Sequence, residues 1–522
     1  MNFAKLFEDC AERNLGKTAL ICGSRSMTYG ELDASAARFA SAMARLGVES
    51  QKKTVILSKN NTRCVEVMLG CFKANVVSCL VNARLSPYEV AGMLVGDDVA
   101  LVAFDEGSLD QARHLRAKLP CTVHFVALDE ASAREEGALF FDVLVDGESA
   151  GFSSVDAADD DVAIQLFTSG STGAPKAVLH GHRGLAFFMA MFGFAAKHDL
   201  IQEEVPTQEV ILGLLSPYHI SGFTTLYALV SGATVILQES FKMEVFLDAV
   251  QEYRVTRATV PATVIEWMLA RDDLGKWDLS SLVELSYGGS PISRASVERA
   301  MSALNCTLTQ AYGSTESLIV SVLSGFDHLK NPREGDRRAY SAGKALIGAE
   351  VKVVDEEGAA CPAGTDGEIA VRSPSVMLKY RGMTRGESGF DENGWLRMGD
   401  VGRMDEHGFL HVTGRKSDLI ISGGENIYPK EVEMCIALLE DDVDSVVVVG
   451  APSVKWGETP IAFVVRKPGS ALTEEQVRRH CESRIAHFKR PSAVVFLEEI
   501  PKDALGKVLR DELKDSIKGM RL

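Results

Sequence analysis

The chain has 522 residues, of which 46% are hydrophobic and 24% are charged, the ordinary composition of a globular protein. A single apolar core stops growing near about 250–300 residues, so two or three folded units are expected. The formal charge of −17 argues against a general nucleic-acid binder, which needs a basic surface.

No stretch of the sequence reaches the roughly 18 uncharged apolar residues that span a bilayer. The N-terminus carries acidic residues and no apolar run, so it does not resemble a secretory signal. The ten cysteines form no CxxC pair, which fits reduced thiols better than a zinc site or a disulfide framework. We therefore expect a cytoplasmic protein without a membrane span.

Apolar runs typical of β-strands alternate with helical patterns along the chain, as in α/β architecture. The run at 53–57 precedes a helical pattern at 62–74, and the run at 233–237 precedes another at 246–253. Residues 132–161 are acidic, rich in small side chains and weakly patterned. This stretch is predicted to cross the surface just before the first chemical motif.

The strongest motif is the segment 168–176, TSGSTGAPK, which follows the apolar strand pattern at 164–167. Glycines let backbone N–H groups approach an anion, the hydroxyls donate further hydrogen bonds, and Lys176 adds positive charge. It is not a Walker A loop, because Pro175 stands where a glycine should precede the lysine. A Ser/Gly surface loop is the alternative, but nine specified residues after a strand favour a polyphosphate-binding loop.

Two further motifs combine groups that a nucleotide needs. In the segment 310–316, QAYGSTE, a ring can stack on a base, a hydroxyl can meet a phosphate and a carboxylate can hold Mg²⁺. In the segment 394–400, Asp400 is placed to accept two ribose hydroxyls, and Arg415 follows fifteen residues later. By itself, the first motif is equally typical of a tyrosine turn in a core, and an aspartate such as Asp400 is more often a turn residue.

A domain boundary is predicted near Ser417, where hairpin-like pieces with an Asn-Gly turn at 391–394 end. A short α/β unit begins after it, with helices from Pro429 and Thr473 and buried strands at 445–450 and 461–466. The predicted domains are therefore 1–416 and 417–522. Near the end of the second, Lys507 follows Gly506 on a predicted turn, where a lysine is usually only a solvated charge.

In combination these segments resemble the AMP-forming acyl-adenylating superfamily, which includes acyl-CoA synthetases, luciferase-like enzymes and adenylation domains of peptide synthetases. The resemblance covers nearly the whole chain and is greatest to a bacterial acyl-CoA synthetase. Further elements stand in the family's order, at 27–32, 216–219, 287–291, 341–344 and 414–433. The resemblance implies a large N-terminal domain of sheets flanked by helices, with a small β-barrel-like subdomain, and a small mobile C-terminal α/β lid.

The resemblance also implies residue roles. The catalytic residues would be Lys507, Glu316 and Thr168, with Mg²⁺ on Glu316, a hinge at Ser417 and coenzyme A near Gly423 and Gly424. The acyl group would contact His219, Phe223, Tyr287, Gly288 and Ala311. The ATP site would comprise Thr168, Ser169, Gly170, Ser171, Thr172, Gly173, Lys176, Gly289, Ser290, Gln310, Ala311, Tyr312, Gly313, Ser314, Thr315, Asp400, Arg415 and Lys507.

Three positions depart from the family pattern. Met398 stands where Thr is frequent, Lys379 stands where Gly often precedes Tyr380, and Ser417 stands where the hinge is often Asp or Lys. None of the three removes a group that is assigned to chemistry. The first two concern local packing, and the third concerns the hinge assignment.

The sequence therefore predicts ATP-dependent formation of an acyl-AMP, then transfer of the acyl group to coenzyme A. The absence of Asp and Glu at 217–232 favours a plain carboxylic acid over an amino acid. No fused carrier domain is expected after Arg510, but a stand-alone ligase for a separate acyl carrier protein stays open, as do luciferase-like oxidation and a homodimer. A catalytically inactive nucleotide-binding or scaffold protein is disfavoured, because Lys507, Glu316 and the 168–176 loop are all intact.

Overall fold

The predicted alternation of strands and helices is present in the computed structural model. It describes residues 2–168, 175–198, 208–214, 217–219, 222–289, 292, 294–304, 306–329, 341–422, 425–453, 456–482, 484–502 and 508–518. The helices are α1 (Ala4–Arg13), α2 (Tyr29–Arg45), α3 (Thr62–Lys73), α4 (Pro87–Met93), α5 (Leu109–Lys118), α6 (Phe141–Val145), α7 (His182–His198), α8 (Phe223–Val230), α9 (Met243–Glu252), α10 (Ala262–Leu269), α11 (Arg294–Leu304), α12 (Gly325–Leu329), α13 (Pro429–Ala437), α14 (Glu474–Glu482) and α15 (Arg510–Ser516).

The strands in the first part of the chain are β1 (Thr18–Cys22), β2 (Arg25–Thr28), β3 (Lys53–Leu57), β4 (Val77–Leu80), β5 (Val99–Phe104), β6 (His124–Ala127), β7 (Leu139–Phe140), β8 (Val162–Thr168), β9 (Lys176–Gly181), β10 (Val210–Gly213), β11 (Thr234–Leu237), β12 (Arg257–Pro261), β13 (Glu284–Gly288), β14 (Thr307–Ser314), β15 (Leu318–Leu323) and β16 (Lys344–Ala345). They continue with β17 (Glu350–Val354), β18 (Gly367–Arg372), β19 (Lys379–Tyr380), β20 (Leu396–Met404), β21 (Leu410–Arg415), β22 (Ile420–Ser422), β23 (Glu425–Ile427), β24 (Val443–Ser453), β25 (Gly457–Arg466) and β26 (Ala493–Leu497).

Two large sheets build the first part of the chain. A nine-stranded sheet has the order β16-β15-β14-β13-β12-β10-β11-β1-β2, and an eight-stranded sheet has the order β19-β9-β8-β4-β3-β5-β6-β7. The centres of both sheets are parallel, and antiparallel strands stand at both edges of the nine-stranded sheet and at the β19 edge of the eight-stranded sheet. Parallel strands need helical crossovers, and this explains the alternation in the sequence.

The largest apolar cluster joins helices α1, α2, α3, α7 and α8 to strands of both large sheets. A second cluster covers the nine-stranded sheet with α9, α10 and α11, and a third covers the eight-stranded sheet with α4 and α5. Helices therefore pack on both faces of each sheet, which buries every residue of strands such as β4 and β11.

Local sequence signals fix several element ends. Thr28 begins α2 with a capping box, in which its side chain accepts a hydrogen bond from Glu31 N and Glu31 Oε2 accepts from Thr28 N. The segment 27–32, which resembles a family element, thus has a structural role at a helix start. At the predicted Asn-Gly turn, Gly394 has a φ of +79° and Asp391 Oδ1 accepts hydrogen bonds from Asn393 N and Trp395 N.

The contacts divide the chain into two compact units, called here the large unit and the small unit. The large unit comprises 1–351 and 371–396, and the small unit comprises 352–370 and 397–522. The small unit contains most of a four-stranded sheet, β17-β18-β20-β21. It also contains the five-stranded sheet β23-β22-β25-β24 with β26 beside β25, covered by α13 and α14 on one face and α15 on the other.

The predicted boundary at 416/417 differs from this division, because the strands before Ser417 group with the residues that follow it. That boundary concerns the place of a hinge, and the hinge stays a prediction. Among the helices of the described ranges, none combines the length and the apolar character that crossing a bilayer requires.

Candidate active site

The hairpin of β8 and β9 carries the two ends of the predicted phosphate loop. Thr168, the last residue of β8, is paired directly with Lys176, the first residue of β9. Residues opposite each other in an antiparallel pair share one face of the sheet, so the hydroxyl and the ammonium group start on the same side. Ser169, Gly170, Ser171, Thr172 and Gly173 lie outside the described residues.

His180 lies on the same face of β9 as Lys176, because side chains alternate along a strand. Its Nε2 is 2.7 Å from the carbonyl oxygen of Thr315, and its ring is fully buried. Burial lowers the pKa of His180 to about 4, against the hydrogen bond to Thr315. A neutral imidazole therefore donates to Thr315 and holds the turn that contains Glu316.

Two contacts from the segment 375–380 fix Glu316. The hydroxyl of Tyr380 donates a hydrogen bond of 2.8 Å to Glu316 Oε1, and Met377 N donates one of 2.7 Å to the Glu316 carbonyl oxygen. The backbone N–H of Glu316 donates to Ser314 Oγ at 3.2 Å. These contacts fix the backbone of Glu316 and the orientation of its carboxylate.

The turn requires glycine where the chain passes close to itself. A Cβ on Gly313 would lie 1.8 Å from the carbonyl oxygen of Leu318, so no other residue fits without a backbone shift. On the neighbouring strand a Cβ on Gly288 would lie 2.7 Å from the carbonyl oxygen of Ala311. These close approaches explain the glycines of two predicted motifs without reference to a ligand.

The remaining nucleotide-side residues of the large unit lie on the adjacent ends of β13 and β14. Gly289 follows β13 with a φ of +79°, and Gln310 and Ala311 pair with Tyr287 and Gly288. Tyr312 precedes a bulge between β14 and β15. Ser290 lies outside the described residues.

On the predicted acyl side, Tyr287 is buried and its hydroxyl is 3.0 Å from His328 Nε2. His328 Nδ1 is 3.0 Å from the carbonyl oxygen of Ser324, so Nδ1 carries the proton and Tyr287 donates to Nε2. Burial raises the pKa of Tyr287 and lowers that of His328. This pair forms a polar contact inside the cluster that covers the nine-stranded sheet.

Phe223 at the start of α8 is buried in the largest apolar cluster, whereas Tyr287 belongs to the cluster on the other face of the nine-stranded sheet. The carbonyl oxygen of His219 accepts a hydrogen bond from Gly222 N at 2.8 Å and so starts the turn before α8. That these residues line one acyl pocket stays a prediction.

The small unit brings Asp400 and Arg415 together. They are register partners on β20 and β21, and Arg415 Nε is 2.8 Å from Asp400 Oδ1. Asp400 is buried, whereas the Arg415 side chain is 56% exposed. Solvent therefore reaches this ion pair from the arginine side. Ser417 follows in a short 3₁₀ turn at 416–418 and is exposed.

The predicted lid residues Lys507, Gly423 and Gly424 lie outside the described residues. The chain on either side of 503–507 is held together, because Lys502 and Val508 form an antiparallel bridge and Leu509 N donates to the Pro501 carbonyl oxygen. Arg510, three residues after Lys507, donates 2.8 Å and 2.5 Å hydrogen bonds to Glu433 Oε1 and the Val448 carbonyl oxygen.

A cavity of about 620 Å³ lies elsewhere in the large unit, between α10, α11 and the loop that joins α10 to β13. None of the predicted site residues lines it. Across the described residues there is no group of three or more side chains of the metal-ligating types. A single carboxylate such as Glu316 suits a cation that arrives with phosphate oxygens as its other ligands.

Sequence reasoning did not identify His180 or Tyr380 as parts of this site. His180 sits in an apolar strand, where a lone histidine gives no local signal. Tyr380 was noted only as the residue after a departure from the family pattern. Both contact the Thr315–Glu316 turn across 135 and 64 residues of chain.

The sequence matches the model of the family described as AMP-binding enzyme over residues 7–381, and that of its C-terminal domain over 431–507. The chain belongs to the AMP-binding enzyme family. The match covers both ends of the phosphate loop, Glu316 and Tyr380, and its second part extends to Lys507.

Individual AMP-binding enzymes resemble the chain along almost its whole length. An indoleacetate–CoA ligase from Aromatoleum aromaticum is 31% identical over 511 residues, which is 96% of this chain and 95% of the relative. A fatty acid–acyl-carrier-protein ligase, ScoC, from Streptomyces coeruleorubidus is 30% identical over 503 residues, 96% and 93% of the two chains. The crystal structure of ATP-bound MatB from Rhodopseudomonas palustris covers 100% of both chains with a TM-score of 0.88 and 26% identity.

Proposed function

We propose that the chain activates a small-molecule carboxylic acid with ATP and transfers the acyl group to coenzyme A. The observation that carries the proposal is that Tyr380, in the large unit, contacts two groups of the predicted ATP site. Its ring lies under Lys176, at the end of the predicted phosphate loop, and its hydroxyl donates a hydrogen bond to Glu316. A cation and a carboxylate thus share one tyrosine as a contact, and a nucleotide polyphosphate with a divalent cation needs both kinds of group.

In the first step, a carboxylate oxygen of the acid attacks the α-phosphorus of ATP. A P–O bond forms, the bond to the β-phosphate breaks, and pyrophosphate leaves to give acyl-AMP. Two anions must meet in this step, so positive charge from Lys507 and Lys176 stabilises the transition state. Mg²⁺ held by Glu316 would add Lewis-acid stabilisation of the phosphates.

In the second step, the thiol sulfur of coenzyme A attacks the acyl carbon. The thioester bond forms, the bond to AMP breaks, and the thiol proton passes to the medium. Gly423 and Gly424 are proposed to border the coenzyme A path, and Asp400 with Arg415 is proposed to hold the ribose. The ribose assignment is supported by the contact between the two side chains, in which Arg415 Nε is 2.8 Å from Asp400 Oδ1.

A pyrophosphate-release screen over medium-chain, aryl and alicyclic acids tests the proposal. We expect acid-dependent release of pyrophosphate, with acyl-CoA and AMP formed in equal amounts when coenzyme A is present. Absence of pyrophosphate release with every acid, or release of ADP and phosphate instead, would contradict it.

A second candidate is a ligase that loads an acyl carrier protein, because ScoC carries that name and matches the chain over 96% of its length. The same screen with coenzyme A and with a holo acyl carrier protein as alternative acceptors separates the two. Turnover with coenzyme A favours the first function, and turnover with the carrier protein alone favours the second.

A further inference from the structure

Tyr380 contacts both charged groups that the proposed ATP site needs. Its hydroxyl donates a 2.8 Å hydrogen bond to Glu316 Oε1, and the Nζ of Lys176 lies 5.0 Å from the centroid of its ring. A hydrogen bond to a carboxylate is among the stronger ones in proteins, and an ammonium group over a tyrosine face is attracted by the ring quadrupole. One side chain thus sets the direction of a carboxylate and of a cation.

The position of Tyr380 is itself fixed by several contacts. Strand β19 pairs with β9 so that Tyr380 lies opposite Val178, and Arg381 N donates to the Ala177 carbonyl oxygen at 2.9 Å. Tyr380 N donates to Ser388 Oγ at 3.0 Å. The backbone that carries the ring is therefore held in place on both sides of Tyr380.

The next residue adds a buried electrostatic anchor. The Arg381 guanidinium is paired with the carboxylate of Asp97, whose side chain is fully buried. Asp97 also pairs with Lys53 on β3 and accepts a hydrogen bond from Gln165 Nε2 at 3.0 Å. Removing one partner of a buried pair is costly, so this cluster ties the chain after β19, at the edge of the eight-stranded sheet, to residues at β3 and just before β5.

We propose that Tyr380 is a positioning residue for Mg²⁺-dependent ATP binding, which it orders by holding Glu316 through its hydroxyl and Lys176 through its ring. An aromatic face attracts an ammonium group without supplying a counter-charge, so the contact leaves Lys176 available to the phosphates. A hydroxyl donor fixes one carboxylate oxygen and leaves the other for the cation. This inference rests on the proposed roles of Glu316 and Lys176 in the ATP site.

The test is an equilibrium titration of the whole chain with ATP by calorimetry, in excess EDTA and at increasing free Mg²⁺. For Tyr380→Phe we expect the half-saturating Mg²⁺ concentration to rise on the order of tenfold, as for other outer partners of metal ligands. ATP affinity in EDTA should stay within about twofold, because the ring remains under Lys176. Tyr380→Leu should weaken ATP binding in both conditions.

Tyr88→Phe is the matched control, since Tyr88 is 78% exposed and loses the same hydroxyl; its titration should equal that of the unmodified chain. Unchanged Mg²⁺ dependence in Tyr380→Phe overturns the inference, and so does an equal loss with and without Mg²⁺. Glu316→Gln distinguishes failure of the positioning role of Tyr380 from failure of the proposed metal role of Glu316. If it alters Mg²⁺ dependence while Tyr380→Phe does not, only the positioning role fails; if it alters nothing, the proposed metal role of Glu316 fails as well.

Discussion

At the scale of single residues, the described site contains side chains that hold neighbouring groups in place. His180 and Tyr380 do not resemble catalytic groups by type or spacing, yet both fix the Thr315–Glu316 turn. Preorganised groups of this kind stabilise a transition state without reorganisation during the reaction. Single substitutions can therefore separate groups that act on the substrate from groups that act on a neighbour.

Lys507→Ala should nearly abolish acyl-AMP formation, on the order of 10²–10³ in rate, because a preorganised cation is lost where two anions meet. Formation of the thioester from supplied acyl-AMP should be largely retained. Pyrophosphate exchange measures the first half-reaction and thioester release the second. Equal loss in both half-reactions would contradict the assignment of Lys507 to the adenylation step.

His180→Gln should flatten the pH dependence of stability between pH 6.5 and pH 4. Burial lowers the folded-state pKa of His180 from 6.5 to about 4, so the unfolded chain binds more protons in this window. The free energy of unfolding of the unmodified chain therefore falls as the pH is lowered through it, by on the order of 3 kcal/mol from this group. Urea unfolding at several pH values measures the slopes, and identical slopes would refute the expectation.

Ala311→Trp should exclude bulkier acids and spare the smallest, with the Michaelis constant for ATP nearly unchanged. Ala311 pairs with Gly288 at the ends of β14 and β13, where the predicted acyl and nucleotide sides meet. An apolar pocket that selects acids by size discriminates between them by roughly 1–3 kcal/mol for each methylene group. Equal loss on every acid in a panel of chain lengths, or a loss confined to ATP binding, would place Ala311 on the nucleotide side.

At the scale of elements, the segment that carries Lys507 is fixed at its base. Arg510 at the start of α15 donates to Glu433 on α13 and to Val448 on β24, and its Nε is 3.4 Å from Asp418 Oδ2. Glu433 is buried and also accepts from Val448 N. A buried carboxylate with two donors makes this a firm attachment of α15 to the small unit's sheet.

Arg510→Leu should lower the rate of adenylation by on the order of 10- to 100-fold, because small displacements of a positioned charge are costly. Pyrophosphate exchange measures the effect. Arg479→Leu is the control, since Arg479 is also on a helix of the small unit but its side chain is 76% exposed, in a surface pair with Glu475. Equal effects of the two substitutions would show that the anchoring contact is not the cause.

At the scale of the whole molecule, the chain contains two compact units with separate apolar clusters. Glu316 and Lys176, which are proposed to bind ATP, belong to the large unit, and Asp400 and Arg415 belong to the small unit. Lys507 and the glycines at 423–424 are assigned to different half-reactions although both follow Ser417. A rotation about Ser417 between the half-reactions follows as a prediction.

Ser417→Pro should slow thioester formation more than adenylation, because proline restricts φ and removes a backbone N–H at the predicted hinge. Ser417→Ala is the matched control, since it removes the hydroxyl that bonds to Asp418 Oδ1 and leaves the backbone unrestricted. Single-turnover measurements of the two half-reactions provide the comparison. Unchanged rates for both steps in the proline variant would count against this hinge.

The sequence by itself determined the family, the α/β class and most local elements. The apolar run at 53–57 became β3, the helix predicted from Pro429 became α13, and the strand predicted at 461–466 lies within β25. These features depend on periodicity, caps and turn residues within a few positions of one another, and such signals are readable from sequence. Asp400 and Arg415 were also predicted to act together, and adjacent strands bring them into contact.

Only the tertiary structure decided which distant residues meet. The pairs His180–Thr315, Tyr380–Glu316 and Tyr287–His328 join segments that are far apart in the chain. Their contact depends on the order of strands in the sheets, such as the placement of β19 beside β9 at one edge, rather than on any local pattern. The sequence motifs indicate the groups that can take part in the chemistry. Long-range packing decides which residues hold those groups in place. Strand order depends on the burial of apolar side chains throughout the large unit, so no local pattern reveals it.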